Sequence, residues 1–179
     1  MSDIPLDRSL SSHLEPLTLV RTLSSGQLLM VDPHKRNALI ICKTFHAEFA
    51  GPGAAVGGPL DIESATIIPV GDVTLLHPAS HQERQRAYAK RKHWMRWLQQ
   101  TTENPIPAQR ARGLLTSLEE FFSPEDVSHL PNDVLARLVG VLPQTIEAAR
   151  LPGEETGPDI TRGGRFTTQP VTAPGGRLA

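Results

Sequence analysis

The sequence predicts an α+β protein in which a small antiparallel β-sheet is followed by a helical bundle and a disordered C-terminal tail. Three observations lead to this prediction. Short β-type runs separated by turn residues fill residues 17–77, and long segments with helical periodicity fill residues 80–151. Residues 152–179 contain ten Gly and Pro among 28 residues, a composition that cannot build a core. The 179 residues suffice for one compact domain or two small ones.

The first half of the chain is divided by turn residues. Residues 1–16 are polar, contain Pro5 and Pro16 and lack periodicity, so we expect a flexible arm. We interpret the first three β-type runs as an antiparallel meander and the last two as a strand pair around Gly71 and Asp72. A sheet this small needs a helix, a second sheet or a partner subunit to cover its apolar face. Its exposed edge, together with apolar residues in a later turn, favours a homodimer. The five runs are Leu17–Leu23, Gln27–Asp32, Ala38–Phe45, Ala65–Val70 and Val73–Leu76.

The segment Gly51–Pro59 is rich in Gly and Pro but does not match a phosphate-binding loop. A Walker loop requires Lys followed by Ser or Thr, and neither is present. Val56 stands where the dinucleotide-binding fingerprint has its third glycine, and no helical pattern follows. We therefore expect a flexible excursion between strands.

The helical region begins at Ser80. Ser80 and Glu83 form the S-x-x-E pattern of a capping box, and no Gly or Pro interrupts the sequence before Thr102. A second helix is predicted over Ala108–Phe122, with its apolar residues at helical spacing. Ser123, followed by Pro and two acidic residues, predicts a third, short helix.

The first of these helices is strongly basic. Residues 80–112 hold eight Lys and Arg against two Glu, and Trp97 lies on the side that also carries cations. An indole among cations is typical of surfaces that stack on bases while ammonium and guanidinium groups bind phosphates. In the alternative interpretation, the following acidic block, nine acids against two Arg in residues 113–160, neutralises these cations. The candidate nucleic-acid-binding residues here are Arg84, Arg86, Lys90, Lys92, Arg96 and Trp97.

Residues 132–151 resemble the helix-turn-helix DNA-binding motif. That motif has a small residue in its first helix, a glycine at the turn, an apolar residue after it and a β-branched residue in the second helix. Ala136, Gly140, Val141 and Ile146 occupy these positions. The glycine allows the left-handed backbone of the turn, and the apolar residues close a small core.

The resemblance implies that the start of the second helix contacts base edges, which assigns that role to Gln144 and Thr145. Leu142, however, falls in the turn, and Leu151 lies on the presumed outer face. The alternative is therefore a protein–protein adaptor or assembly factor, with Trp97, Leu142 and Leu151 as its partner-binding residues.

The sequence gives little support for catalysis. His77 and His81 are four residues apart, but Pro78 breaks the helical face that a metal pair would need. Cys42 and His46 could act as nucleophile and base only if the chain folds back after Phe45. We expect a non-enzymatic regulatory protein with no metal or cofactor. The single cysteine and the absence of long apolar runs favour the cytoplasm and argue against a membrane partner.

Overall fold

The computed structural model describes residues 9–10 and 16–151, and the side chains of residues 17–151. The predicted α+β class is confirmed: over these residues the chain forms seven short strands and six α-helices. The strands are β1 (Ser9–Leu10), β2 (Leu28–Val31), β3 (Ala38–Cys42), β4 (Ala47–Ala50), β5 (Ala55–Gly57), β6 (Thr66–Val70) and β7 (Leu75–Leu76). The helices are α1 (Pro16–Ser24), α2 (His81–Thr102), α3 (Pro107–Phe121), α4 (Pro124–Ser128), α5 (Asn132–Val139) and α6 (Pro143–Arg150).

The strands form two antiparallel sheets, with the orders β1-β7-β2-β5 and β4-β3-β6. In the second sheet Ile40 of β3 pairs with Phe49 on one side and Ile68 on the other. All five residues of β3 are buried, which explains why its sequence is a continuous apolar run rather than an alternating one.

The predicted meander is wrong. Strand β2 pairs with β5 and β7, whereas β3 pairs with β4 and β6. The predicted pair around Gly71 and Asp72 is also divided, because β6 and β7 belong to different sheets. Turn residues mark where a strand ends, but the packing of the apolar faces decides which strand it pairs with.

The run Leu17–Leu23, predicted as a strand, is part of helix α1. Leu19 and Leu23, four residues apart, are buried, whereas Leu17 is 77% exposed. The helix packs on β6. A run this short fits both the strand and the helix period, so contact with the sheet determined its conformation.

Segment 51–59 is not a flexible excursion, which corrects the prediction. It contains strand β5, and Gly51, Gly53 and the residues 54–58 are buried. Gly51 lies against the ring of Trp94, so that a Cβ atom at this glycine would be 2.3 Å from Trp94 Cε2. Trp94 Nε1 donates a hydrogen bond to the carbonyl of Pro52 at 3.2 Å. The absence of a side chain at Gly51 therefore makes this close packing possible.

The helical region follows the prediction closely. Ser80 Oγ accepts the Glu83 N–H at 3.1 Å, and Ser123 Oγ accepts the Asp126 N–H at 3.1 Å, so both predicted caps form. One hydrophobic cluster joins the sheets and the helices, so neither region has a core of its own. The predicted tail 152–179 and most of the predicted arm lie outside the described residues. Within the arm, Ser9 and Leu10 pair with β7.

Candidate nucleic-acid interface

Helix α2 presents one side to the protein and the other to solvent. The side chains of Ala87, Arg91, Trp94 and Leu98 are buried against the sheets. Their spacing of three and four residues defines the inner side of the helix. Met95, which the helical periodicity places with the apolar residues, is 47% exposed.

Arg91 is the only charged residue of α2 that is buried, and it joins α2 to the sheets. Its Nη2 donates to Glu48 Oε2 at 2.5 Å and to Asp61 Oδ1 at 3.1 Å. Its Nη1 donates to the Ala55 carbonyl at 3.1 Å, and Asp61 Oδ2 accepts the Gly57 N–H at 2.8 Å. The Arg91 side chain is 3% exposed and that of Asp61 is fully buried. The two carboxylates and the carbonyl therefore replace the water that Nη1 and Nη2 lose, whereas Nε is buried without a hydrogen-bond partner among the described residues.

The pKa values of the two carboxylates shift in opposite directions. Burial opposes ionisation of Glu48, but hydrogen bonds from Lys43 and Arg91, with a smaller contribution from His46, outweigh it and lower the pKa of Glu48 to about 2. Lys43 Nζ lies 2.8 Å and His46 Nε2 3.1 Å from Glu48 Oε1. For Asp61, burial is the larger effect and raises its pKa despite the nearby Arg91. This buried charge cluster holds α2 in place.

The exposed surface of α2 carries the predicted basic residues, with Arg84 at the start of the helix on the same side as Arg91 and the other four on the remaining sides. Five cations of α2 are exposed, and none of them forms an ion pair with an Asp or Glu of the described residues. The acidic block that follows α2 therefore does not cover them with its described carboxylates. The five exposed cations, here called the basic face, are Arg84, Arg86, Lys90, Lys92 and Arg96.

Trp97 does not have the open position that the sequence predicted. It is half-buried, and its ring centroid lies 5.2 Å from Phe49, 5.7 Å from Trp94 and 6.2 Å from Phe121. These edge and tilted contacts stabilise the junction of α2, α3 and β4. The indole is part of an aromatic cluster, so only part of its surface is open to a base.

The two helices predicted over residues 132–151 form as α5 and α6. Gly140 ends α5 with φ 62° and ψ 48°, the left-handed conformation expected for the turn. Ile146 is fully buried, and Val141 and Ala149 are half-buried against the core. At the start of α6, Gln144 is exposed and Thr145 is half-buried.

The turn between α5 and α6 lies near the C-terminal end of α2. Arg110 of α3 links the two places, because Nη1 donates to the Asn104 carbonyl at 2.8 Å and Nη2 to the Gly140 carbonyl at 3.0 Å. From Arg84 to Asn104 the helix axis runs about 30 Å, and from Arg96 about 12 Å. The turn that precedes Gln144 and Thr145 therefore lies on the side of the molecule where α2 ends, away from Arg84.

Helix α6 offers few groups for phosphate binding. The Arg150 guanidinium is used internally, with bonds to Asn132 Oδ1 at 2.8 Å and to the Leu130 carbonyl at 2.7 Å. Leu142 and Leu151 are 70% and 66% exposed. The two residues that flank α6 thus expose apolar side chains instead of cations.

Sequence reasoning did not anticipate the buried charge cluster. A signal was present, since Arg91 has the same helical spacing as Ala87, Trp94 and Leu98, and a cation on an apolar stripe indicates a buried partner. Nothing near Glu48 or Asp61 in the sequence identifies them as those partners. His46, the sequence's candidate base for Cys42, bonds Glu48, and burial raises the pKa of the Cys42 thiol.

Comparison with known proteins provides no relative. No protein-family model, curated protein or solved structure matches this chain. Within the described residues, no helix is long and apolar enough to cross a membrane. The same residues contain no group of three or more His, Cys, Asp or Glu side chains placed to hold a metal ion.

Proposed function

We propose that this chain is a non-enzymatic regulatory protein that binds nucleic acid, with the basic face of α2 supplying the phosphate contacts. One observation carries the proposal: five cations are exposed on one helix, and no described carboxylate pairs with them. Solvated cations can exchange condensed counterions for phosphates at little desolvation cost.

The length of the basic face suits a phosphate backbone. From Arg84 to Arg96 the helix axis spans about 18 Å. One DNA strand presents about five phosphates over that distance. The helix has no acidic residue between Arg84 and Arg96, so no carboxylate of this stretch repels a phosphate.

Base contacts are a separate part of the proposal. Gln144 and Thr145 keep the positions that the helix-turn-helix resemblance assigns to base readout. Arg96 is the cation of α2 nearest to them along the helix, so a nucleic acid that follows the basic face toward its C-terminal end would approach α6. Phosphate contacts would then provide affinity, and the two side chains of α6 would provide sequence preference.

The test is a salt titration with labelled single-stranded DNA, duplex DNA and RNA, read by fluorescence anisotropy. The variant Lys92→Gln with Arg96→Gln should weaken binding and reduce the slope of log K against log salt by about 2. The matched control, Arg112→Gln with Arg137→Gln, removes the same charge from exposed residues of α3 and α5. Failure to bind any of the three polymers at low salt, or equal losses in both variants, would refute the proposal.

A docking surface is the second candidate, supported by the exposure of Leu142 and Leu151. We infer that these residues would contact a second copy of the chain, since large apolar side chains left exposed together mark protein–protein interaction sites. Leu142→Asp should lower the mass measured by sedimentation, whereas Gln144→Asp, which adds the same charge two residues later, should not. A monomer at all concentrations would exclude this candidate.

A further inference from the structure

A cavity of about 480 Å³ lies between the first half of α2 and the sheet that contains β2 and β7. Small-molecule sites in proteins have volumes of about 300–1,000 Å³. The buried charge cluster does not contribute to its lining. The cavity therefore has the size of a small-molecule site and is separate from the groups that hold α2 in place.

The floor of the cavity is apolar. Met30 and Leu76 both line it, and they are cross-strand partners in the pairing of β2 with β7. Directly opposed residues in an antiparallel pair project from the same face of the sheet. Ala87, from the inner side of α2, also lines the cavity. Together these groups can cover the apolar part of a ligand.

The rim of the cavity is cationic. Arg86 and Lys90 both line it, and a spacing of four residues makes them neighbours on the helix surface. The Lys90 stem packs near Gly53, where a Cβ atom would lie 3.4 Å from Lys90 Cγ. His34 and His77 also contribute to the lining. Nitrogen donors therefore dominate the rim.

One carboxylate, that of Glu83, also lines the cavity. Its Oε2 accepts the Ala79 N–H at 2.6 Å, so this hydrogen bond ties the carboxylate to the residue before the N-cap Ser80. Two cations against this single acid leave the rim with a positive charge. Neither Arg86 nor Lys90 forms an ion pair with a described Asp or Glu.

We propose that this cavity binds a small amphiphilic anion, with the apolar body on Met30, Leu76 and Ala87 and one acidic head group on Arg86 and Lys90. The head group is a carboxylate or a phosphate, because both accept charge-assisted hydrogen bonds from guanidinium and ammonium groups. This inference goes beyond nucleic-acid binding. The two kinds of binding share Arg86 and Lys90, so a small anion in the cavity and a phosphate backbone would compete for these side chains.

The experiment uses the full-length protein and anilinonaphthalene sulfonate, a fluorescent probe that combines an apolar ring system with an acidic group. Octanoate and octyl phosphate serve as competitors, and octanol serves as the uncharged control. We expect probe binding that at least one of the two anions displaces and that octanol displaces at least ten-fold less well. The stronger competitor identifies the head group. Displacement by octanol as effective as by the anions would overturn the proposal.

Two variants locate the probe. Arg86→Gln with Lys90→Gln should weaken probe binding about ten-fold or more, since a hydrogen bond to a charged group is lost at each position. Lys92→Gln with Arg96→Gln removes the same charge from the same helix, outside the cavity, and should change it less than about two-fold. Equal weakening by both pairs would overturn the proposal, because the probe would then sense only the net charge of the helix.

A third variant tests the apolar floor. Met30→Gln keeps the length of the side chain but makes it polar, so probe binding should weaken while binding of the labelled nucleic acid stays unchanged. Circular dichroism melting of each variant confirms that it is folded. If nucleic-acid binding fails but the probe binds with this pattern, only the proposed function is lost. Unaltered probe affinity in folded Met30→Gln would instead refute the cavity.

Discussion

The inner and outer sides of helix α2 both carry arginine, which is buried on the inner side and exposed to solvent on the outer side. Arg91 is 3% exposed and bonded to Glu48 and Asp61, whereas Arg96, only five residues later, is exposed. A buried guanidinium that loses its partners, or carboxylates that lose theirs, cost several kcal/mol. An exposed guanidinium is solvated whether or not it has a partner. The comparison shows that the surroundings of a cation, more than its identity, decide whether it serves the fold or is available to a ligand.

The largest expected effect is that of Arg91→Met, which keeps the volume of the side chain but removes its charge. Glu48 and Asp61 would then share a buried site without their common partner, so we expect a loss of about 3–5 kcal/mol in the free energy of unfolding. Urea denaturation followed by circular dichroism measures it. Arg96→Met makes the same replacement on the outer side and should change the stability by less than about 0.5 kcal/mol. Similar losses for the two variants would contradict the distinction between the sides.

The second prediction concerns pH. Folding lowers the pKa of Glu48 from 4.5 to about 2. The resulting stability is therefore complete above the unfolded-state pKa and is lost as the pH falls from about 4.5 to about 2, with a total of about 3 kcal/mol. Burial raises the pKa of Asp61. Its contribution to stability therefore changes with pH in the opposite direction, because protonation removes the cost of a buried charge. Comparison with Glu48→Gln isolates the Glu48 contribution.

In urea denaturation from about pH 6 to about pH 3, the stability difference between wild type and Glu48→Gln should shrink as the pH falls. The control is Asp72→Asn, which breaks the exposed pair of Lys35 and Asp72, 42% and 62% exposed. That difference should stay below about 1 kcal/mol throughout. A constant difference for Glu48→Gln would show that its ionisation contributes nothing to stability.

A third prediction tests how closely α2 approaches the sheets. In Gly51→Ala the new Cβ atom would meet Trp94 Cε2 at 2.3 Å, so the ring or the helix must shift, at a cost of about 1–3 kcal/mol. In Gly113→Ala the nearest atom is Thr101 Cγ2 at 3.8 Å. That substitution lies within α3 and should stabilise the protein by about 0.5–1 kcal/mol. Thermal unfolding measures both, and opposite signs are the expected result.

The smallest expected effect on stability is that of Lys92→Gln with Arg96→Gln. Both residues are exposed, so the free energy of unfolding should change by less than about 0.5 kcal/mol although nucleic-acid binding weakens. Chemical denaturation and anisotropy on the same preparations provide the two values. A large loss of stability would mean that the outer side also holds the fold together.

Prediction from sequence succeeded where local signals suffice. The capping box at Ser80, the helix starting after Ser123 and the left-handed Gly140 depend on residues close in the chain, and each forms as predicted. Sequence reasoning failed for Leu17–Leu23 and for segment 51–59. In both, contact with distant residues determined the conformation: Leu19 and Leu23 are buried in the common core, and Gly51 packs against Trp94.

The candidate site divides in the same way. Helical periodicity placed Arg86 and Lys90 on one side of α2, and the structure keeps them exposed together. It did not place Trp97 correctly, because Phe49 and Phe121, which hold the indole, come from a strand and a helix far away in the sequence. The cavity above Met30 and Leu76 depends on the pairing of β2 with β7, which no local pattern predicts.

The amino-acid sequence by itself determined where helices begin and end and how many cations α2 carries, because caps, turns and helical spacing act over a few residues. The tertiary structure decided which of those cations is neutralised and which remains available. It did so by bringing Glu48 and Asp61 to Arg91 from 43 and 30 residues away. Pairing across such separations depends on how the two sheets and the helix close their shared core.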